Sequence, residues 1–166
     1  MDDLLIKNYF SEKEKEDIVN KIYSTLKEEK YLSQRSIKEL DNLIEKKEIY
    51  CLYKKNEFIG FIFKSKLSNR IIEVHGMYIK PKFRQLGYSD FLMKKITGNK
   101  DFKYLGVTFN HMVGEKLISW GFEKYSLKSL SLIEKINFLK HRLNVCRLIG
   151  IKNHFKEKKQ LLIFIK

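Results

Sequence analysis

The sequence predicts an α/β fold, a mixed α+β sheet of about seven strands flanked by helices, as a single domain over residues 1–166. Three observations predict it. The apolar spacing switches repeatedly along the chain between a period of two and a helical period. Two Ser-x-x-Glu capping boxes open helical runs, and glycines close two others. With 43% apolar and 13% aromatic side chains in 166 residues, the chain can bury a real core and is not a disordered tail.

Taken in order, Leu4 to Phe10 reads as a first strand. Ser11-Glu12-Lys13-Glu14 is a capping box with Phe10 as its staple residue, and Ile18, Val19, Ile22, Tyr23 and Leu26 form the apolar face of a first helix. Ser36-Ile37-Lys38-Glu39 is a second box; Ile37, Leu40, Leu43 and Ile44 line the helix it starts. Glu48 to Tyr53 and Phe58 to Lys64 are strand-like runs joined by a hairpin turn at Lys54-Lys55-Asn56-Glu57. A third run, Arg70 to Lys80, ends at Pro81, the only proline. Asp90 to Ile96 has helical spacing and closes at Gly98-Asn99. Phe102 to Phe109 is a strand, and His111 to Trp120 a helix stopped by Gly121. Leu127 to Ile133 and Gln160 to Ile165 read as two last strands, with a helical stretch between them.

Composition narrows the function classes. No apolar run reaches the length of a membrane span, and Met1-Asp2-Asp3 is acidic where a signal peptide is basic, so a cytoplasmic protein is expected. Cys51 and Cys146 lack paired spacing and fit reduced thiols. His111 and His141 have no partners at metal-ligand spacing, and no metal is expected. The net charge is +14. Between Lys124 and Lys166 eleven Lys and Arg stand against two Glu, so this basic C-terminal quarter could meet nucleic acid or another anion, or be simple solvated surface.

The informative stretch is Met77 to Met93, where an apolar strand runs through Pro81-Lys82-Phe83 and Arg84-Gln85-Leu86-Gly87-Tyr88-Ser89 into a helix beginning near Asp90. First-turn amides have no helical partner, and the helix dipole favours negative charge there. A strand–loop–helix of this kind can cradle a diphosphate. Gly87 allows the backbone a close approach, and Arg84 can add a charged contact.

Arg84-x-x-Gly87-x-Ser89 behind Pro81-Lys82-Phe83 resembles the pyrophosphate loop, Q/R-x-x-G-x-G/A, of the GNAT superfamily of acyl-CoA-dependent N-acetyltransferases. Asn110 with Gly121-Phe122 resembles a second motif of that family, N-x-x-A-x-x-x-Y-x-x-x-G-F. The resemblance implies a GNAT-like sheet with splayed middle strands, here 72–80 and 102–109. It implies acetyl-CoA as acyl donor, with the loop from Arg84 through Gln85, Leu86, Gly87, Tyr88 and Ser89 to Asp90 at its diphosphate. Its pantetheine arm would lie beside Met77, Tyr78 and Ile79, and Asn110 would join the cofactor site. A backbone N–H near Tyr78 or Ile79 would meet the oxyanion. Glu73, six residues before Ile79, matches the catalytic glutamate of the histone-acetylating branch, with His75 as the second candidate base.

The chain departs from the family at Leu117, where many members carry a proton-donating Tyr; Tyr125 or Tyr78 could substitute. Gln85 and Leu86 replace a glycine and a basic residue, and Asp90 puts a carboxylate beside the phosphates. The expected activity is acetyl transfer from acetyl-CoA to a primary amine on a small molecule, a protein lysine or an aminoacyl-tRNA. The alternatives are a tRNA-directed acetyltransferase and a binding or regulatory module that has lost catalysis. The pattern is compatible with a homodimer and does not require one.

Overall fold

The structure, a computed structural model, describes residues 3–29, 32–142 and 160–166. Its elements are β1 (Leu4–Lys7), α1 (Glu12–Glu28), α2 (Ile37–Glu45), β2 (Ile49–Lys54), β3 (Glu57–Lys66), β4 (Ile71–Ile79), α3 (Tyr88–Ile96), β5 (Lys103–Thr108), α4 (His111–Ser119), β6 (Glu123–Lys124), α5 (Leu132–Lys140) and β7 (Leu162–Ile165). The strands form one mixed sheet in the order β1-β2-β3-β4-β5-β7-β6, with β4 and β5 parallel. The expected α/β class and element order are therefore found. Contacts divide the chain into two compact units, one of Met1–Lys64 and Gly76–Leu92, the other of Ser65–His75 and Met93–Lys166.

In the first unit the local signals operate as expected. Ser11 N and Oγ both donate to Glu14 Oε2 at 2.9 Å, and α1 buries Ile18, Val19, Ile22 and Leu26. Ser36 Oγ accepts from Glu39 N at the start of α2, which buries Leu40, Leu43 and Ile44. The hairpin between β2 and β3 turns on Lys55 (φ 47°) and Asn56 (φ 64°); two left-handed residues in a two-residue loop match the twist of the flanking strands. The helices and these strands share one core, with Phe10, Ile22, Leu26, Ile49, Phe58, Phe61 and Phe63 among its members. Cys51 lies in it fully buried, and burial pushes its thiol up, which leaves it unreactive while the unit is folded. Gly76, inside β4, has a left-handed φ of 58°, and a Cβ there would meet the Phe63 ring at 2.6 Å. We expect Gly76→Ala to destabilise the protein by about 1–3 kcal/mol, from strained backbone and overpacking together; a urea melt measures it.

In the second unit β4 pairs with β5 from Ile71↔Lys103 to Val74↔Gly106, and β7 joins β5 antiparallel from Leu105↔Ile165 to Thr108↔Leu162. Leu67, Ile71, Leu105, Leu130 and Phe138 make the core. α4 ends in a Schellman arrangement: Gly121 (φ 83°) donates to Ile118 O and Phe122 to Leu117 O.

One element differs from the sequence expectation. Leu127 to Ile133 is not a strand: Leu127–Ser129 forms a 3-10 turn and α5 starts at Leu132. Ser131 Oγ accepts from Glu134 N while Ser131 N donates to Glu134 Oε2 at 2.9 Å, a third capping box that outweighs the β-rich composition. The strand of this region is the short Glu123–Lys124, paired with Phe164 and Ile165. The helical stretch assigned before the last strand coincides with α5 up to Lys140. Cys146 and the turn at Lys156-Glu157-Lys158-Lys159 lie outside the described residues. Among the described residues no helix is long and apolar enough to cross a membrane, and no group of three or more His, Cys, Asp or Glu could hold a metal ion.

Candidate active site

The loop between β4 and α3 is built within the first unit. Pro81–Phe83 forms a 3-10 turn after β4, with Phe83 N donating to Lys80 O and Arg84 N to Pro81 O. Gln85 (φ 64°) and Gly87 (φ 78°) are both left-handed, and the exposed Leu86 lies between them. The glutamine therefore occupies a conformation that a glycine takes without strain; a side chain costs about 1–2 kcal/mol there. Helical bonding in α3 begins with Phe91 N donating to Gly87 O at 3.0 Å, so the first-turn amides of Tyr88 and Ser89 have no helical acceptor. A Cβ on Gly87 would meet nothing within 4 Å. Its front is open space, the fit expected where a diphosphate approaches the main chain.

The side chains around the loop are arranged differently from the expectation. Arg84 turns back: its Nε donates to Ile79 O at 2.9 Å, and its Nη2 pairs with Glu29 Oε1 at 2.7 Å. Its guanidinium thus braces the loop against the last residue of β4 and the end of α1. Lys54, which the sequence did not single out, reaches the loop from β2, its Nζ donating to Tyr88 Oη at 2.7 Å. The Tyr88 ring meets Phe83 edge to face at 6.1 Å. Met77 and Tyr78 are half-buried and Ile79 is buried. Tyr78 packs against Phe61 at 5.6 Å, and burial pushes its phenol up, so it keeps its proton at neutral pH.

Glu73 and His75 stand on the part of β4 that belongs to the second unit. Glu73 is 2% exposed, and both of its oxygens accept from Arg142: Nη1 reaches Oε2 at 3.2 Å, and Nη2 bonds to Oε1. His141 Nδ1 lies 3.9 Å from Oε2. His75, half-buried, has Nε2 3.2 Å from Ser65 Oγ. Asn110 caps α4, its Oδ1 accepting from Met112 N at 3.0 Å. Leu117 is buried against Gly106, a packing residue where many family members have their acid. Tyr125 donates to Ser129 O at 3.3 Å. Sequence reasoning missed Arg142 and Lys54, because neither belongs to a motif and both arrive from distant segments.

A family model described as "Acetyltransferase (GNAT) family" matches residues 16–107, more than half of the chain. A comparison of sequences with curated proteins gives no match. Among solved structures the chain is similar to N-acetylglutamate synthase from Neisseria gonorrhoeae, complexed with coenzyme A and N-acetyl-glutamate, at TM-score 0.67 and 17% identity. That match covers 98% of this chain but 34% of the synthase, so the chain spans about a third of that protein's length. It is also similar to Rv2747 from Mycobacterium tuberculosis in complex with CoA, at TM-score 0.70 and 10% identity over 97% of each chain. Spermidine N-acetyltransferase from Vibrio cholerae, in complex with CoA and spermine, matches at TM-score 0.57 and 14% identity, over 76% of this chain and 84% of its own. At these identities the three share a fold with this chain.

Proposed function

Because the chain belongs to the acetyltransferase (GNAT) family, we propose that it moves an acetyl group from acetyl-CoA to a primary amine. The observation that carries this reading is the loop before α3, where a left-handed Gly87 opens onto free space beside amides that have no helical acceptor. Those amides and the helix dipole would hold the diphosphate of the donor, while the backbone of Met77 to Ile79 would lie along its pantetheine arm. Arg84 would act from behind, keeping the loop in shape. Two of the structurally similar proteins named above were solved with CoA and an amine or its acetylated product, which supports a donor of this class.

In the proposed reaction the acceptor nitrogen attacks the thioester carbon. The C–N bond forms, the C–S bond breaks and the thiolate leaves. The ammonium must first lose a proton, and we assign that proton to Glu73, directly or through water, with His75 as the second candidate. A donated proton is not essential on the leaving side, because a thiol of ordinary pKa about 8.5 departs tolerably as thiolate. That accommodates a buried Leu117 at the position of the usual acid.

The test mixes the protein with acetyl-CoA and a panel of small amines, lysine peptides and aminoacyl-tRNA, following free thiol, with calorimetry for acetyl-CoA alone. Neither heat nor thiol above background would end this reading. Glu73→Gln is expected to lower kcat by about 100-fold or more while acetyl-CoA still binds. The buried Leu117 favours a second reading, a binding module that has lost catalysis; it predicts cofactor binding with no thiol release from any amine.

A further inference from the structure

Resting on the assignment of Glu73 as base, we propose that Arg142 is the positioning residue of the acyl transfer, holding the Glu73 carboxylate fixed in orientation. Glu73 is buried in β4, where an ionised carboxylate needs a partner. Arg142 supplies one with both arms of its guanidinium, a two-point grip that a single ammonium cannot reproduce. The guanidinium takes one acceptor site on each oxygen, so the carboxylate is held at both ends.

Arg142 is itself held from several sides. Its Nη1 also donates to Phe138 O at 3.0 Å, and its guanidinium lies 3.5 Å from the centre of the Phe138 ring, which is buried in the core of the second unit. It follows directly on α5, with Arg142 N donating to Leu139 O, at a helix end where the dipole favours a cation. α5 is in turn fastened to the turn before β4: Asn137 Nδ2 donates to Leu67 O at 2.7 Å, and Ser68 Oγ donates to Glu134 Oε1 at 2.9 Å. The same turn thus sets both the start of β4 and the helix that delivers Arg142, so the two ends of the pair are positioned by one rigid piece. A pair kept only for stability would be replaceable by apolar side chains without cost to turnover.

The experiment compares Arg142→Met, Arg142→Lys, Glu73→Gln and the Glu73→Gln/Arg142→Met double variant, each checked for folding by circular dichroism. Turnover is read as thiol release with the amine that the wild-type protein acetylates fastest. Arg142→Met is expected to lower kcat about 10- to 100-fold with the KM for acetyl-CoA unchanged, as for a misplaced catalytic group. It should change kcat no further in the Glu73→Gln background, since a residue that acts through Glu73 has nothing left to act on. Arg142→Lys should recover part of the loss. The double variant leaves no unpaired buried charge, so it folds where Arg142→Met does not; in that case Arg142→Lys carries the measurement, expected at a few-fold reduced kcat. Wild-type kcat in Arg142→Met or Arg142→Lys, or an equal loss in both backgrounds, overturns the role of Arg142 alone. Turnover that survives Glu73→Gln overturns the base assignment, and with it this inference. No turnover with any amine overturns acyl transfer altogether.

Discussion

Gly60→Val is expected to destabilise the protein by about 4 kcal/mol or more, enough to leave little folded chain at 37 °C. Gly60 lies in β3, and a Cβ there would come within 2.4 Å of Tyr78 O, 2.7 Å of Ile79 Cδ1 and 3.3 Å of Ile79 Cα. Two of those three atoms are backbone, so no side-chain rotation relieves the clash. β3 would have to move from the end of β4, against the bond from Lys80 N to Ile59 O at 2.8 Å. A glycine inside a strand often marks such a close backbone approach. A thermal or urea melt by circular dichroism checks the effect, and a loss under 1 kcal/mol would show that the strands separate cheaply. The same end of β4 carries the proposed pantetheine contacts, so folded Gly60→Ala protein should also bind acetyl-CoA less well.

Ser89→Glu is the substitution expected to damage cofactor binding most. Ser89 lies in the first turn of α3, beside Gly87, where the diphosphate is proposed to rest. A second carboxylate in that turn would stand about 4 Å from a diphosphate resting there, like charge against like. At an effective dielectric constant near 20 each such pair costs about 4 kcal/mol before salt screening. Acetyl-CoA affinity should fall at least 100-fold by calorimetry, more at low salt than at high. Stability should change little, because an acidic residue in a helix's first turn is favoured by the dipole. Unchanged affinity would move the diphosphate away from this helix.

Much of the architecture was legible in local pattern. The capping box at Ser11 and the cap at Ser36 place α1 and α2, and both report interactions within four residues of each other; the Glu39 side chain goes to Arg35 in place of closing the second box. The Lys55-Asn56 turn and the Gly121 stop were readable for the same reason. The strand expected over Leu127–Ile133 is absent because Ser131 and Glu134 cap a helix that starts within those residues. Leu117 has no proton to donate, and its burial against Gly106 gives the packing reason for a leucine there.

Short-range spacing in the sequence was enough for the elements up to Gly121, the glycine-bearing loop before α3 and membership of the acetyltransferase family. The roles of the charged side chains depend on the folded chain. Arg84 faces Glu29, 55 residues earlier in the chain, and Glu73 is gripped by Arg142, 69 residues later. No periodicity or motif specifies such pairs. For Glu73, burial removes water from the carboxylate, and the guanidinium that the fold delivers takes its place; Arg84 and Glu29 meet nearer the surface, where the turn after β4 and the end of α1 bring them together.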